Sequence, residues 1–94
     1  MEIQTEQSSS KGSFYIEENG KRLAEMTFSK AGDTTLIIDH TEVSDVLRGK
    51  NVGKQLVAFA VDYARKNNLK IIPLCPFTKA VIDKTKEYQD VLKK

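Results

Sequence analysis

Residues 48–56, Arg-Gly-Lys-Asn-Val-Gly-Lys-Gln-Leu, place two glycines and three cations around the start of an apolar helical pattern. A helix N-terminus offers roughly four unpaired backbone N–H donors and about half a positive charge, which suits an anion. Arg48, Lys50 and Lys54 would add fixed charge, and Gly49 and Gly53 would let the backbone approach a bulky diphosphate. Neither the Walker A spacing nor G-x-G-x-x-G is present. By themselves the residues fit an anion cradle and an ordinary capped helix equally well.

Two further side chains could carry chemistry. Cys75 stands in Pro73-Leu74-Cys75-Pro76-Phe77, and proline is favoured as the first residue of a helix. A thiol at such a start is stabilised as thiolate by the helix dipole, although a lone cysteine is more often buried and inert. His40 lies toward the end of a β-branched run, where an imidazole suits a general base that takes a proton from an ammonium group. A single strand histidine is more often a hydrogen-bonded structural residue. If His40 and Cys75 met, they would form a nucleophile–base pair. Glu42 is a second candidate base, though a carboxylate on a strand edge is usually only solvated. No metal is expected, since one cysteine and one histidine fall short of the about four ligands of a structural zinc site.

The elements that must position these groups follow from the hydrophobic pattern. Residues 13–30 read as a hairpin around Glu18-Asn19-Gly20-Lys21, Asn-Gly being the preferred type I′ turn pair. Ala24, Met26 and Phe28 alternate with Leu23 and Glu25 as in a half-buried strand. Ala31-Gly32-Asp33 makes a second turn, and residues 34–43 form a third strand. The period then changes: Val52, Leu56, Phe59, Ala60, Tyr63 and Ala64 share one helix face, ended by Asn67-Asn68. A strand interrupted by two prolines and a final helical pattern over 78–94 complete the order β-β-β-α-β-α. This is an α/β (α+β) arrangement around one mixed, mostly antiparallel sheet. Pro73 and Pro76 remove backbone donors, so the fourth strand would leave an unpaired edge for a ligand's amides, or simply end bent.

Ninety-four residues make one domain, with residues 1–12 expected as a flexible lead-in and 13–94 as the folded unit. No apolar run approaches the about 20 residues of a membrane span, and the N-terminus has no secretory pattern. A single cysteine excludes an internal disulfide and fits a cytoplasmic location. Charge is divided unevenly: residues 1–47 carry 4 basic and 9 acidic side chains, residues 48–94 carry 11 and 4. The basic half points to an anionic partner, or to solvated helix faces. Nucleic acid is disfavoured, because the lysines lack interleaved aromatic residues. The sequence leaves the oligomeric state open.

The passage His40 to Tyr63 resembles the acetyl-CoA motif of the GNAT superfamily of N-acetyltransferases, [QR]-x-x-G-x-[GA], with Arg48 at its first position and Gly53 at its last. Asn51 replaces the usual middle glycine. Asn tolerates the left-handed conformation, so the turn can survive. The likeness is closer still to the small stand-alone GNAT-like proteins of roughly this length, in His40-Thr41-Glu42-Val43, Leu47-Arg48-Gly49, Pro73 to Phe77 and Glu87-Tyr88. It implies a minimal acyl-CoA N-acyltransferase fold with acetyl-CoA in a cleft between two splayed strands. Glu42 and Val43 would pair with pantetheine, while Arg48, Gly49, Lys50, Asn51, Val52, Gly53 and Lys54 would hold the pyrophosphate. Cys75 would lie beside the thioester as a candidate nucleophile. The acceptor would be an unidentified amine at an open site, possible for a protein-borne amine. The alternative is a non-catalytic CoA-binding module acting as a sensor or partner.

Overall fold

Four strands, not three, precede the first helix in the computed structural model, which describes residues 2–93. They are β1 (Gln4–Ser8), β2 (Lys11–Glu18), β3 (Lys21–Ala31) and β4 (Thr35–Val43). Helix α1 (Val52–Lys66), strand β5 (Lys70–Pro73) and helix α2 (Pro76–Lys84) follow, with short 3-10 segments at Asp45–Leu47 and Lys86–Val91. The sheet order is β1-β2-β3-β4-β5, antiparallel except for the parallel β4–β5 pair that α1 bridges. The extra strand comes from the segment expected as a lead-in. All five β1 residues are exposed, so no hydrophobic alternation marks them, and ladder bonds to β2 hold them. The Asn-Gly hairpin forms as expected, with φ of 54° at Asn19 and 78° at Gly20.

One sheet face carries both helices. Phe14, Ile16, Met26, Phe28, Leu36 and Ile38 from the strands meet Leu56, Val57, Ala60, Val61 and Ala64 of α1, with Ile71 and Ile82 closing the end of the core. Phe14 anchors this layer, its ring 4.7 Å from that of Phe28 and 5.1 Å from that of Tyr63. No described element covers the opposite face, where Tyr15, Glu25 and Thr27 lie half-exposed. Lysines on the outer helix faces are partly paired, Lys66 with Asp62 at 3.0 Å and Lys79 with Asp83 at 2.7 Å. Among the described residues no helix is long and apolar enough to cross a membrane.

A bulge in β4 decides which side chains reach the site. Phe28 pairs with Ile38 but Thr27 pairs with His40, leaving Asp39 as the extra residue. Strand side chains alternate, so an uninterrupted β4 would have turned His40 to the same side as Leu36 and Ile38. The extra residue shifts the alternation. Thr41 and Val43 continue the inner face, and His40 and Glu42 go to the open one.

Candidate active site

Strand β5 stops early, and this creates the cleft. It pairs with β4 only from Thr35 to Ile38, after which the amides of Leu74 and Cys75 both donate to the Ile38 carbonyl, at 3.0 and 3.1 Å. Pro76 then opens α2, as the sequence leads one to expect. The edge of β4 from Asp39 to Val43 is left without a β5 partner. An unpaired edge presents N–H and C=O groups that a ligand's amides can satisfy. The cavity beside it, about 420 Å³, has Thr41 and Val43 on one wall and Phe77 on the other.

The Arg48–Lys54 turn closes one end of this cavity. Gly49 has φ of 83° and Asn51 is left-handed with φ of 57°, so the turn survives the absence of the middle glycine. Asn51 is the N-cap of α1 yet makes no capping bond through its side chain. The first-turn bond is Gln55 N–H to the Asn51 carbonyl at 3.0 Å, and the amides of Val52, Gly53 and Lys54 have no partner among the described residues. These three donors stand at the positive end of a fifteen-residue helix, which suits an anion. Arg48, held 2.8 Å from Asp45, and Lys54 also line the cavity.

Cys75 lies behind the cavity wall, next to Thr41, and is not itself part of the lining. It is 5% exposed, and its thiol donates to the Thr41 hydroxyl, with sulfur and oxygen 3.5 Å apart. Burial pushes the thiol's pKa up. The Thr41 hydroxyl, bonded to the thiol, and the nearby Thr78 amide and hydroxyl and Phe77 amide, which favour the thiolate, outweigh this and leave it below the ordinary value.

A model of the GCN5-related N-acetyl-transferase family matches residues 13–91. The chain belongs to that family. A GCN5-like protein from Staphylococcus aureus shares 42% identity over 96% of this chain and 87% of its own, with a TM-score of 0.70. The ribosomal-protein-alanine N-acetyltransferase of Brucella melitensis biovar Abortus 2308 has the same fold at 19% identity, covering 93% of this chain and 64% of that one, TM-score 0.63. AAC(6')-Iy, solved with the bisubstrate analog CoA-S-monomethyl-acetylneamine, is similar in fold at 12% identity, covering 93% of this chain and 65% of that one, TM-score 0.54. No curated protein matches the chain. Membership makes it an acetyltransferase with acetyl-CoA as cosubstrate.

Within this family site the expected residues divide. Val43, Arg48, Gly49, Asn51, Val52, Gly53 and Lys54 line the cavity. Lys50 lies in the turn, but its carbonyl accepts from the Gln55 side chain at 2.9 Å and it is not part of the lining. Glu42 turns to the open face, where its carboxylate is 3.1 Å from His40 Nε2. His40 and Cys75 are not brought together. Cys75 bonds the neighbouring Thr41, and the bulge sends the imidazole, 64% exposed, to the other side of the sheet. Thr41, Leu47 and Phe77, which the matched stretches contain without implying a role for them, join the site, and so does Thr78, which no motif contains.

Proposed function

We propose that this chain transfers the acetyl group of acetyl-CoA to an amine presented from solvent, with Cys75 beside the reacting thioester. The observation that carries the reading is a cleft with an uncapped helix start at one end and, behind its Thr41 wall, a buried thiol bonded to that threonine. The free α1 amides, Arg48 and Lys54 would hold the pyrophosphate, and the β4 edge at Glu42 and Val43 would hold the pantetheine amides. Val43 and Phe77, 38% and 41% exposed, give the arm an apolar bed. A protein-borne acceptor is favoured by the exposure of Val43 and Phe77 in the lining, which leaves the cleft open to solvent.

The thiol's state favours a two-step route. Cys75 thiolate adds to the thioester carbonyl, the C–S bond to CoA breaks, and CoA leaves with the proton that Cys75 released. The amine then attacks acetyl-Cys75, the new C–S bond breaks, and the amine's proton returns to sulfur as the amide forms. His40, on the other face of the sheet from Cys75, would take no direct part in this transfer.

Calorimetric titration with acetyl-CoA, CoA and ADP tests the cradle, and mass spectrometry of the acetyl-CoA mixture tests the thiol. Saturable binding of acetyl-CoA is expected, weakened about tenfold, or 1.4 kcal/mol, when Arg48 and Lys54 are both changed to Ala. An added acetyl group on Cys75, absent from Cys75→Ala, is expected as well. Binding without any acetyl adduct under single-turnover conditions would exclude the two-step route, and no binding would overturn the cradle.

A further inference from the structure

The capping position of α2 holds a cysteine where an oxygen-bearing side chain is normally found. Cys75 has extended backbone, φ −70° and ψ 121°, and its carbonyl accepts from Lys79 N–H at 3.0 Å, so it is the N-cap of a nine-residue helix. Ser, Thr, Asp and Asn are favoured there because their oxygens accept from the first amides. A neutral thiol accepts weakly, and Cys75 makes no capping bond. Pro76 has no N–H, so the amides of Phe77 and Thr78 are the ones left at the cap, and neither has a partner among the described residues.

Thr78 supplies the second observation. It is 0% exposed, and its hydroxyl is the one fully buried side-chain polar atom without a hydrogen bond among the described residues. A buried hydroxyl left unpaired costs folding free energy, and an apolar side chain of the same shape would avoid that cost. Thr78 stands three residues after the cap, where a side chain reaches back toward the capping residue. Its hydroxyl forms no bond to the thiol, yet it is among the groups that favour the Cys75 thiolate.

We propose that Thr78, Thr41 and the first amides of α2 form a hole that receives the Cys75 sulfur as a thiolate, with Thr78 as its positioning residue. In the thiol form Cys75 donates to Thr41 and the Thr78 hydroxyl is unpaired. When the proton leaves, the sulfur becomes a strong acceptor. Thr41 then turns from acceptor to donor, Thr78 gains its missing partner, and the amides of Phe77 and Thr78 complete the cap. The thiol state leaves these donors idle and the thiolate state uses all of them. Charge from neighbours is not required. On β4, His40 and Glu42 face the other side of the sheet, and Lys54 of α1 and Lys79 of α2 are exposed. Burial works against the thiolate, and the surrounding hydroxyl and amide groups, not these charges, favour it.

The function of this hole in acyl transfer rests on the reading above, but its existence is tested without CoA. Cys75 is the only cysteine, so its ionisation can be followed by ultraviolet thiolate absorbance against Cys75→Ser, and by iodoacetamide alkylation, in which sulfur bonds carbon and iodide leaves. The wild-type midpoint is expected below that of the unfolded chain. Thr78→Val should raise the midpoint by about one unit, a tenfold loss of thiolate at pH below both midpoints. Its melting temperature should be kept or raised, because the unpaired hydroxyl is gone. Thr78→Ser should restore the wild-type midpoint. Equal midpoints in wild type, Thr78→Val and Thr78→Ser would overturn the proposal. So would a wild-type midpoint at or above that of the unfolded chain, whatever the variants do. A lowered midpoint that Thr78 controls, without acetylation by acetyl-CoA, would leave the hole standing and remove only the two-step route.

Discussion

Phe77 occupies the space that a side chain at position 53 would need: a Cβ on Gly53 would lie 2.7 Å from the ring's Cζ and 2.9 Å from Cε2. The last glycine of the Arg48–Gly53 pattern thus admits a side chain from α2. The ring ties the start of α2 to the start of α1 and separates the main cavity from a second one of about 400 Å³ that includes Lys54 and Lys84.

Gly53→Ala tests this contact. Alanine in a helix is favoured over glycine by about 1 kcal/mol. The clash is with the tip of a ring 41% exposed, which can rotate outward. Stability is expected within about 1 kcal/mol of wild type, while acetyl-CoA affinity falls about tenfold as the displaced ring spoils the bed of the pantetheine arm. Denaturant melts and calorimetry on one sample separate the effects. A large loss of stability with unchanged affinity would show that the ring is a core element alone.

Asn51 gives a second test, because the backbone rather than the side chain sets its conformation. At φ 57° and ψ 32°, with no capping bond, it needs only to tolerate the left-handed region. Asn51→Gly is expected to change stability by less than about 0.5 kcal/mol, relief of strain offsetting the freer unfolded chain. It should bind acetyl-CoA at least as tightly. Asn51→Val should lose about 1–2 kcal/mol, since a β-branched residue fits poorly at positive φ. Tenfold weaker binding by Asn51→Gly would instead make the amide side chain a ligand contact.

The fold was legible where local chemistry decides it. Asn19-Gly20 dictates the hairpin, the apolar stripe of Val52, Leu56, Ala60 and Ala64 dictates α1, and Pro76 opens α2. Strand β1 was hidden because its five exposed polar residues depend on a partner strand for their order. The site was legible in its charged turn and less so elsewhere. One extra residue at Asp39 reverses the alternation of β4, which separates His40 from Cys75 and brings Thr41 to the sulfur. Periodicity cannot reveal a bulge of this kind, because it depends on pairing with β3. Thr78 was silent for a related reason: a threonine on a short helix reads as a surface residue until packing buries it.

Arg65 and Asp90 tie the end of the chain to α1, and the pH dependence of this tie can be worked out. Arg65 donates to both carboxylate oxygens, at 3.0 Å from Nε and 2.7 Å from Nη2, and to the Glu87 carbonyl, while Lys70 donates to the Asp90 carbonyl. These bonds fasten the 3-10 segment whose Val91 is buried in the core. Hydrogen bonding from Arg65 holds the Asp90 carboxyl below its ordinary pKa. A carboxyl with a depressed folded pKa adds stability that is complete above the unfolded value and is lost as pH falls through the folded one. Asp90→Asn should therefore melt at a lower temperature than wild type at neutral pH. The difference should shrink on acidification through the carboxylate range. It should be modest, since the two side chains are 43% and 57% exposed and water screens them. Thermal melts of both proteins from neutral to acid pH check this. A difference that persists unchanged into acid would mean that Asp90 acts through shape and not through its charge.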